Sequence, residues 1–280
     1  MVNPVAPAFE NVPEQRTPID LKIYGTIPPW LSGVLYRTGP GTTRIPTTAD
    51  PAKAVTIQHW FDGLSLHHRF EIFPGGRRVS YRSHSGSEDL KKQIADTGEV
   101  STLSFGQRGD PCQSIFRKFS TAFQMIRTSR AGAPSPSGMN INVTLTPNMP
   151  GWGTETSTIP TPASGPRYLV AKTDAAVLQL LDSTTLKPLK VASYRDIDSR
   201  LDGGLSSAHA CYDHVTGDFY NQSCKIGSHF PTYKIFKIGG KGGHVDVLAE
   251  IKDAPLSYIH SFAMTERFLI FTVWQAYIKQ

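Results

Sequence analysis

The chain has 280 residues, 39% of them hydrophobic, enough to build a sizeable core. Charged residues make up only 19%, and the formal charge is +6. The basic residues form no long run, which argues against nucleic acid as a partner and favours an anionic membrane surface.

No apolar run is long enough to span a bilayer. The N-terminus has neither a basic n-region nor an apolar h-region. Three cysteines, Cys112, Cys211 and Cys224, form no C-x-x-C pair. The expectation is a cytoplasmic, reducing compartment with free thiols.

Strand patterns begin early. Residues 33–38 alternate and meet a turn signal at Gly39, Pro40 and Gly41. Residues 64–73 form a second strand, ended by Pro74, Gly75 and Gly76, and 77–84 return from it. Residues 111–127 break the pattern. There Ile115, Phe116, Phe119, Ala122, Phe123 and Ile126 make one apolar helix face, and Asp110 and Pro111 mark its start. Arg117, Lys118 and Arg127 flank that face. The helix either packs on the sheet core or lies in a membrane interface, with Ile115, Phe116, Phe119 and Phe123 below the headgroups. Cys112 at its start is either a lipid-attachment or membrane-facing thiol or a small buried one.

Residues 128–138 and 146–166 are rich in Pro, Gly, Ser and Thr and read as surface loops. Residues 167–173 and 177–182 read as a hairpin. A strand at 219–225 follows the turn at Thr216, Gly217 and Asp218, and one at 267–275 follows Thr265 and Glu266. The class is all-β, in a barrel, sandwich or propeller. There is no exact internal repeat to choose among them.

Two segments carry chemistry. Residues 206–213 and 256–265 alternate as strands, with His209 in the first and His260 in the second. A histidine aimed inward from each of two neighbouring hairpins is how a β-scaffold builds a metal site. A core histidine held by a hydrogen bond is the commoner fate of one alone. Tyr258 and Phe262 share the face of His260 and either line a tunnel for a long apolar substrate or fill the core. His67 and His68 are adjacent and point to opposite faces, so they do not share a metal. His214 falls in a turn, His229 and His244 fall near loops, and His59 precedes a turn at Phe61, Asp62 and Gly63. No paired carboxylates or Ser-His-Asp arrangement stands out.

Taken together, YGTIPPWLSGVLYRTGPG at 24–41, HWFDG at 59–63, DPCQSIF at 110–116 and the two histidine strands resemble the carotenoid cleavage oxygenases. The chain is similar to the fungal members that cleave carotenoids such as torulene. The resemblance implies a seven-bladed β-propeller with Fe(2+) on its axis, held by four histidines. His209 and His260 match the first two, and the others belong to later blades. Residues 1–280 are thus expected to form a partial seven-bladed β-propeller with a short amphipathic helix, the C-terminal blades absent. Were 280 residues the whole product, no catalysis is expected.

Neutral imidazoles suit Fe(2+), and open coordination positions can take O2. In the family, outer glutamates orient the histidines. Asp174 matches the first of these glutamates and is one methylene shorter, so either its backbone sits closer or a water intervenes. Read by itself, Asp174 is a turn aspartate between two strands. The implied activity is oxidative cleavage of a C=C bond in a carotenoid or apocarotenoid, giving two carbonyl products. Two alternatives remain. One is a non-catalytic β-scaffold that binds a hydrophobic ligand or a partner. The other is a stilbene-cleaving dioxygenase, in which a lysine directly precedes the outer acid; Thr173 stands there in this chain.

Overall fold

A computed structural model describes residues 10–100, 134–227 and 230–274. The alternating segments become strands β1 (Ile19–Asp20), β2 (Gly33–Thr42), β3 (Arg44–Pro46), β4 (Ala54–Thr56), β5 (Leu64–Ile72) and β6 (Val79–Ser85). Four of these pair in the order β1-β6-β5-β2, and β3 and β4 form a separate hairpin between β2 and β5. A second sheet is the meander β7 (Thr144–Pro147), β8 (Tyr168–Lys172), β9 (Val177–Asp182), β10 (Pro188–Ser193). A third is the meander β11 (Cys211–Tyr212), β12 (Phe219–Lys225), β13 (Thr232–Ile238), β14 (Val245–Ile251). The short pair β15 (Ala263–Met264) and β16 (Leu269–Ile270) follows. All pairing within the sheets is antiparallel. The protein is therefore mostly β, with successive four-stranded sheets in a propeller-like arrangement.

Several boundaries differ from the sequence reading, for local reasons. β2 runs through Gly39, Pro40 and Gly41 instead of stopping there, and its register against β5 slips between Pro40 and Thr42. A bulge accommodates a proline that a regular ladder would reject. A Cβ on Gly41 would lie 2.4 Å from the Cβ of Leu66, so only glycine lets the two backbones approach. The stretch 146–166 is more than a surface loop, because Met149, Trp152 and Ile159 are buried in the core. Helix α1 (Glu88–Thr97) was not anticipated. It starts with Glu88 and Asp89, which suit the positive end of a helix, and ends at Gly98 with φ 73°. Its Leu90 and Ile94, one turn apart, bury against Ile45 and Leu64. The expected helix at 111–127 lies outside the described residues. Among the described residues no helix is long and apolar enough to cross a membrane.

The core is built on β8, which is buried on both faces. Tyr168 and Val170 join Leu178, Phe219 and Phe236 in one apolar cluster. Leu169 and Ala171, pointing the other way, join Val177, Tyr233 and Ile259 in a second. Each of the valine, leucine, isoleucine and phenylalanine side chains among them contributes about 1.5–3 kcal/mol of burial. Single bridges Ala175–Leu205, Leu205–Cys224 and His209–Ser261 then tie consecutive sheets together. The first and second sheets are joined by Gln179, whose Nε2 donates to the carbonyls of Gly86 (2.7 Å) and Pro136 (2.8 Å).

Candidate metal centre

Both histidine segments were expected to be extended strands. Regular pairing is confined to Cys211–Tyr212 and Ala263–Met264, and His209 and His260 sit just ahead of these. Here the segments cross between sheets, so side chains and single contacts satisfy the backbone in place of a ladder. His209 N–H donates to the carbonyl of His260 (3.1 Å), and Ser207 Oγ donates to the carbonyl of Ile259 (2.9 Å). Thr144 Oγ1 donates to the carbonyl of Ala208 (2.7 Å).

This stitching brings the two imidazoles together. Their ring centroids are 4.7 Å apart at an interplanar angle of 68°. Asp174, in the connection between β8 and β9, is 6% exposed and lies against His260. Its Oδ1 accepts the Nδ1–H of His260 at 2.9 Å, with Oδ2 3.2 Å from the same nitrogen. The shorter side chain therefore reaches the imidazole directly. Oδ1 also lies 3.4 Å from the backbone nitrogen of Ala208, next to His209. Tyr258 stacks on His260, with ring centroids 5.9 Å apart, and donates its hydroxyl to Asp174 Oδ2 at 2.6 Å.

The electrostatics shift the two rings' pKa values in opposite directions. The hydrogen bond to Asp174 raises the His260 pKa, against the opposing effect of burial. Burial, then the nearby His260 and Lys172, lower that of His209. Burial, with the Asp174 charge beside it, raises the Tyr258 phenol. Lys172 is a group the sequence reading missed. It is 3% exposed, burial pulls its pKa down to about 7, and its Nζ lies 5.0 Å from the Phe219 ring centroid. A strand lysine in a run of apolar residues was the only available signal.

With Nδ1–H committed to Asp174, His260 presents the Nε2 lone pair. Neither ring nitrogen of His209 has a hydrogen-bond partner among the described residues. Two imidazoles, one oriented by a carboxylate, fit a divalent transition metal such as Fe(2+) when both are in the neutral form. Among the described residues no group of three or more His, Cys, Asp or Glu side chains forms a metal cluster. Phe262 is half-buried, with its ring centroid 6.2 Å from that of Phe271. Cys112, Ile115, Phe116, Phe119 and Phe123 lie outside the described residues. His67 and His68 do diverge: His67 is buried against Thr38, and His68 bonds Tyr81.

The fold and this arrangement define a class: a propeller-like β-protein with paired imidazoles and an outer carboxylate where its sheets meet. The chain belongs to the carotenoid oxygenase family, since the family model described as retinal pigment epithelial membrane protein matches residues 8–280. It is 35% identical to the torulene dioxygenase of Gibberella fujikuroi over 279 residues, covering 95% of this chain and 46% of that protein. It is 34% identical to the carotenoid dioxygenase of Neurospora crassa over 290 residues, again covering 95% and 46%. Among solved structures, a glutamate-to-aspartate variant of the Synechocystis apocarotenoid oxygenase superposes with a TM-score of 0.61 at 20% identity, covering 93% of this chain and 47% of that one. The lignostilbene dioxygenase of Pseudomonas brassicacearum gives a TM-score of 0.61 at 20% identity, covering 96% and 47%. The chain thus spans about half the length of the curated relatives it matches.

Proposed function

We propose that this chain is part of a non-haem Fe(2+) dioxygenase that cleaves a conjugated C=C bond of a carotenoid or apocarotenoid. One O2 is consumed, and each carbon of the broken bond leaves as a carbonyl. The observation that carries the reading is the 4.7 Å approach of the His209 and His260 rings, with Asp174 on the far nitrogen of His260. The names of the fungal relatives supply the substrate class. When bound, the iron would supply O2 activation. The protein's part is to aim both imidazoles and to hold the polyene against them. No general acid or base is required.

Two imidazoles leave most of a coordination sphere to other donors. In this reading those donors come from further blades of a seven-bladed propeller, of which residues 1–280 form one part. The substrate partitions into membranes, and the basic, amphipathic 111–127 segment suits docking at a membrane surface from the cytoplasmic side.

Metal uptake tests the reading. Ferrous iron titrated anaerobically into the protein should bind at close to one equivalent, and His209→Ala and His260→Ala should each abolish that binding. Equal uptake by both variants and the parent overturns it. Incubation with torulene, β-carotene and a lignostilbene, followed by chromatography of the aldehydes, then separates the substrate classes.

A further inference from the structure

Tyr258 was expected to line a tunnel or fill the core. Its hydroxyl does something more specific. Extended spacing puts Tyr258 and His260 on the same side of their segment, and their rings stack at 24°. From there the phenol reaches past the imidazole to Asp174. The carboxylate is thus held at both oxygens: Oδ1 by the Nδ1–H of His260 at 2.9 Å, Oδ2 by the Tyr258 hydroxyl at 2.6 Å.

The second bond matters because of how the first is made. Oδ2 is also only 3.2 Å from His260 Nδ1, so the carboxylate has two nearly equivalent ways to face the ring. The tyrosine proton singles out one oxygen and leaves the other to the imidazole. A carboxylate with one oxygen unpaired in a buried site pays a desolvation cost, and it relieves that cost by rotating or by taking a water. Either change loosens the hold on Nδ1–H. The imidazole then regains the choice of tautomer, and the form with its proton on Nε2 cannot ligate through that atom.

We infer that Tyr258 is a positioning residue: through Asp174 it holds His260 as the Nδ1–H tautomer with Nε2 free to coordinate. The inference deepens the metal-site reading and rests on it for its consequence, but the tautomer itself can be observed without metal.

The test uses Tyr258→Phe, which keeps the ring and its stacking and removes one oxygen. In the metal-free protein, long-range 1H–15N correlation of the His260 ring reads the tautomer directly. The parent should show a single Nδ1–H form, and Tyr258→Phe a mixture or the reverse. Asp174→Ala should show the same change, and Tyr258→Phe added to Asp174→Ala should produce no further one, because the two groups act in series. Ferrous affinity should fall about tenfold in Tyr258→Phe, the low end of what losing an outer partner of a metal-bound histidine costs. An unchanged tautomer in a folded Tyr258→Phe overturns the inference, whatever the iron does. A changed tautomer in a protein whose parent binds no iron upholds the orienting role and overturns the metal reading alone. If Tyr258→Phe does not fold, Tyr258→Leu decides: an unchanged Nδ1–H form there also overturns it.

Discussion

At the scale of single residues, the protein shows what burial does to imidazoles. His260 keeps a carboxylate partner and is drawn toward protonation, whereas His67 has none. His67 is fully buried, with Nδ1 2.9 Å from Thr38 Oγ1 and Nε2 lacking a hydrogen-bond partner among the described residues. Burial lowers its pKa to about 4. In the unfolded chain the group titrates near 6.5, so as pH falls the unfolded state takes up the proton first. Its contribution is intact above about 6.5 and is lost as pH falls from there towards 4, roughly 3 kcal/mol in all. Urea denaturation at pH 7.5 and pH 5 should show a clear drop in the parent and a smaller one in His67→Gln. Equal drops would remove His67 as the cause. Alternation correctly separated His67 from His68. It could not show which of them was fully buried, because that depends on Gly86 and Gln179 from other segments closing over the ring.

At the scale of elements, two glycines are required for different reasons. Gly98 ends α1 at φ 73°, and a Cβ there would meet nothing closer than Thr47 Cγ2 at 3.9 Å. Gly98→Ala therefore costs only the backbone strain of the left-handed region, about 1 kcal/mol. Gly41 has an ordinary φ and no room at all. Gly41→Ala forces β2 and β5 apart and should cost about 2–3 kcal/mol, as overpacking does. Thermal unfolding of the two variants should rank Gly41→Ala as the less stable. The strands β9 and β12 match the sequence reading at both ends, because each begins and ends at strong turn chemistry. Asp182, for example, caps its own turn through the backbone N–H groups of Thr184 and Thr185. Helix α1 escaped notice because only Leu90 and Ile94 of its ten residues are deeply buried, too thin a stripe to register as a period.

At the scale of the whole molecule, stability depends on how one sheet is attached to the next. Gln179 is fully buried and carries two hydrogen bonds across the boundary between the first and second sheets. Gln179→Leu keeps a side chain of similar size but strands the carbonyls of Gly86 and Pro136. The expected loss is about 2–4 kcal/mol, seen as a lower urea midpoint. A loss below 1 kcal/mol would mean that the boundary is held by apolar packing alone. The candidate metal centre has the same origin. His209, His260 and Asp174 come from three separate connections, and the single bridges between sheets set their spacing.

The amino-acid sequence by itself determined the β class and most of the strands, and it named His209, His260 and Asp174 as candidates. Those features follow from local alternation, turn chemistry and ordered motifs, which a linear chain displays. The tertiary structure alone decided that a shortened carboxylate still touches His260, that the Tyr258 hydroxyl completes its shell, and that Lys172 is buried. Each of these depends on distances between segments 34 to 86 residues apart, set by the packing of one sheet against the next.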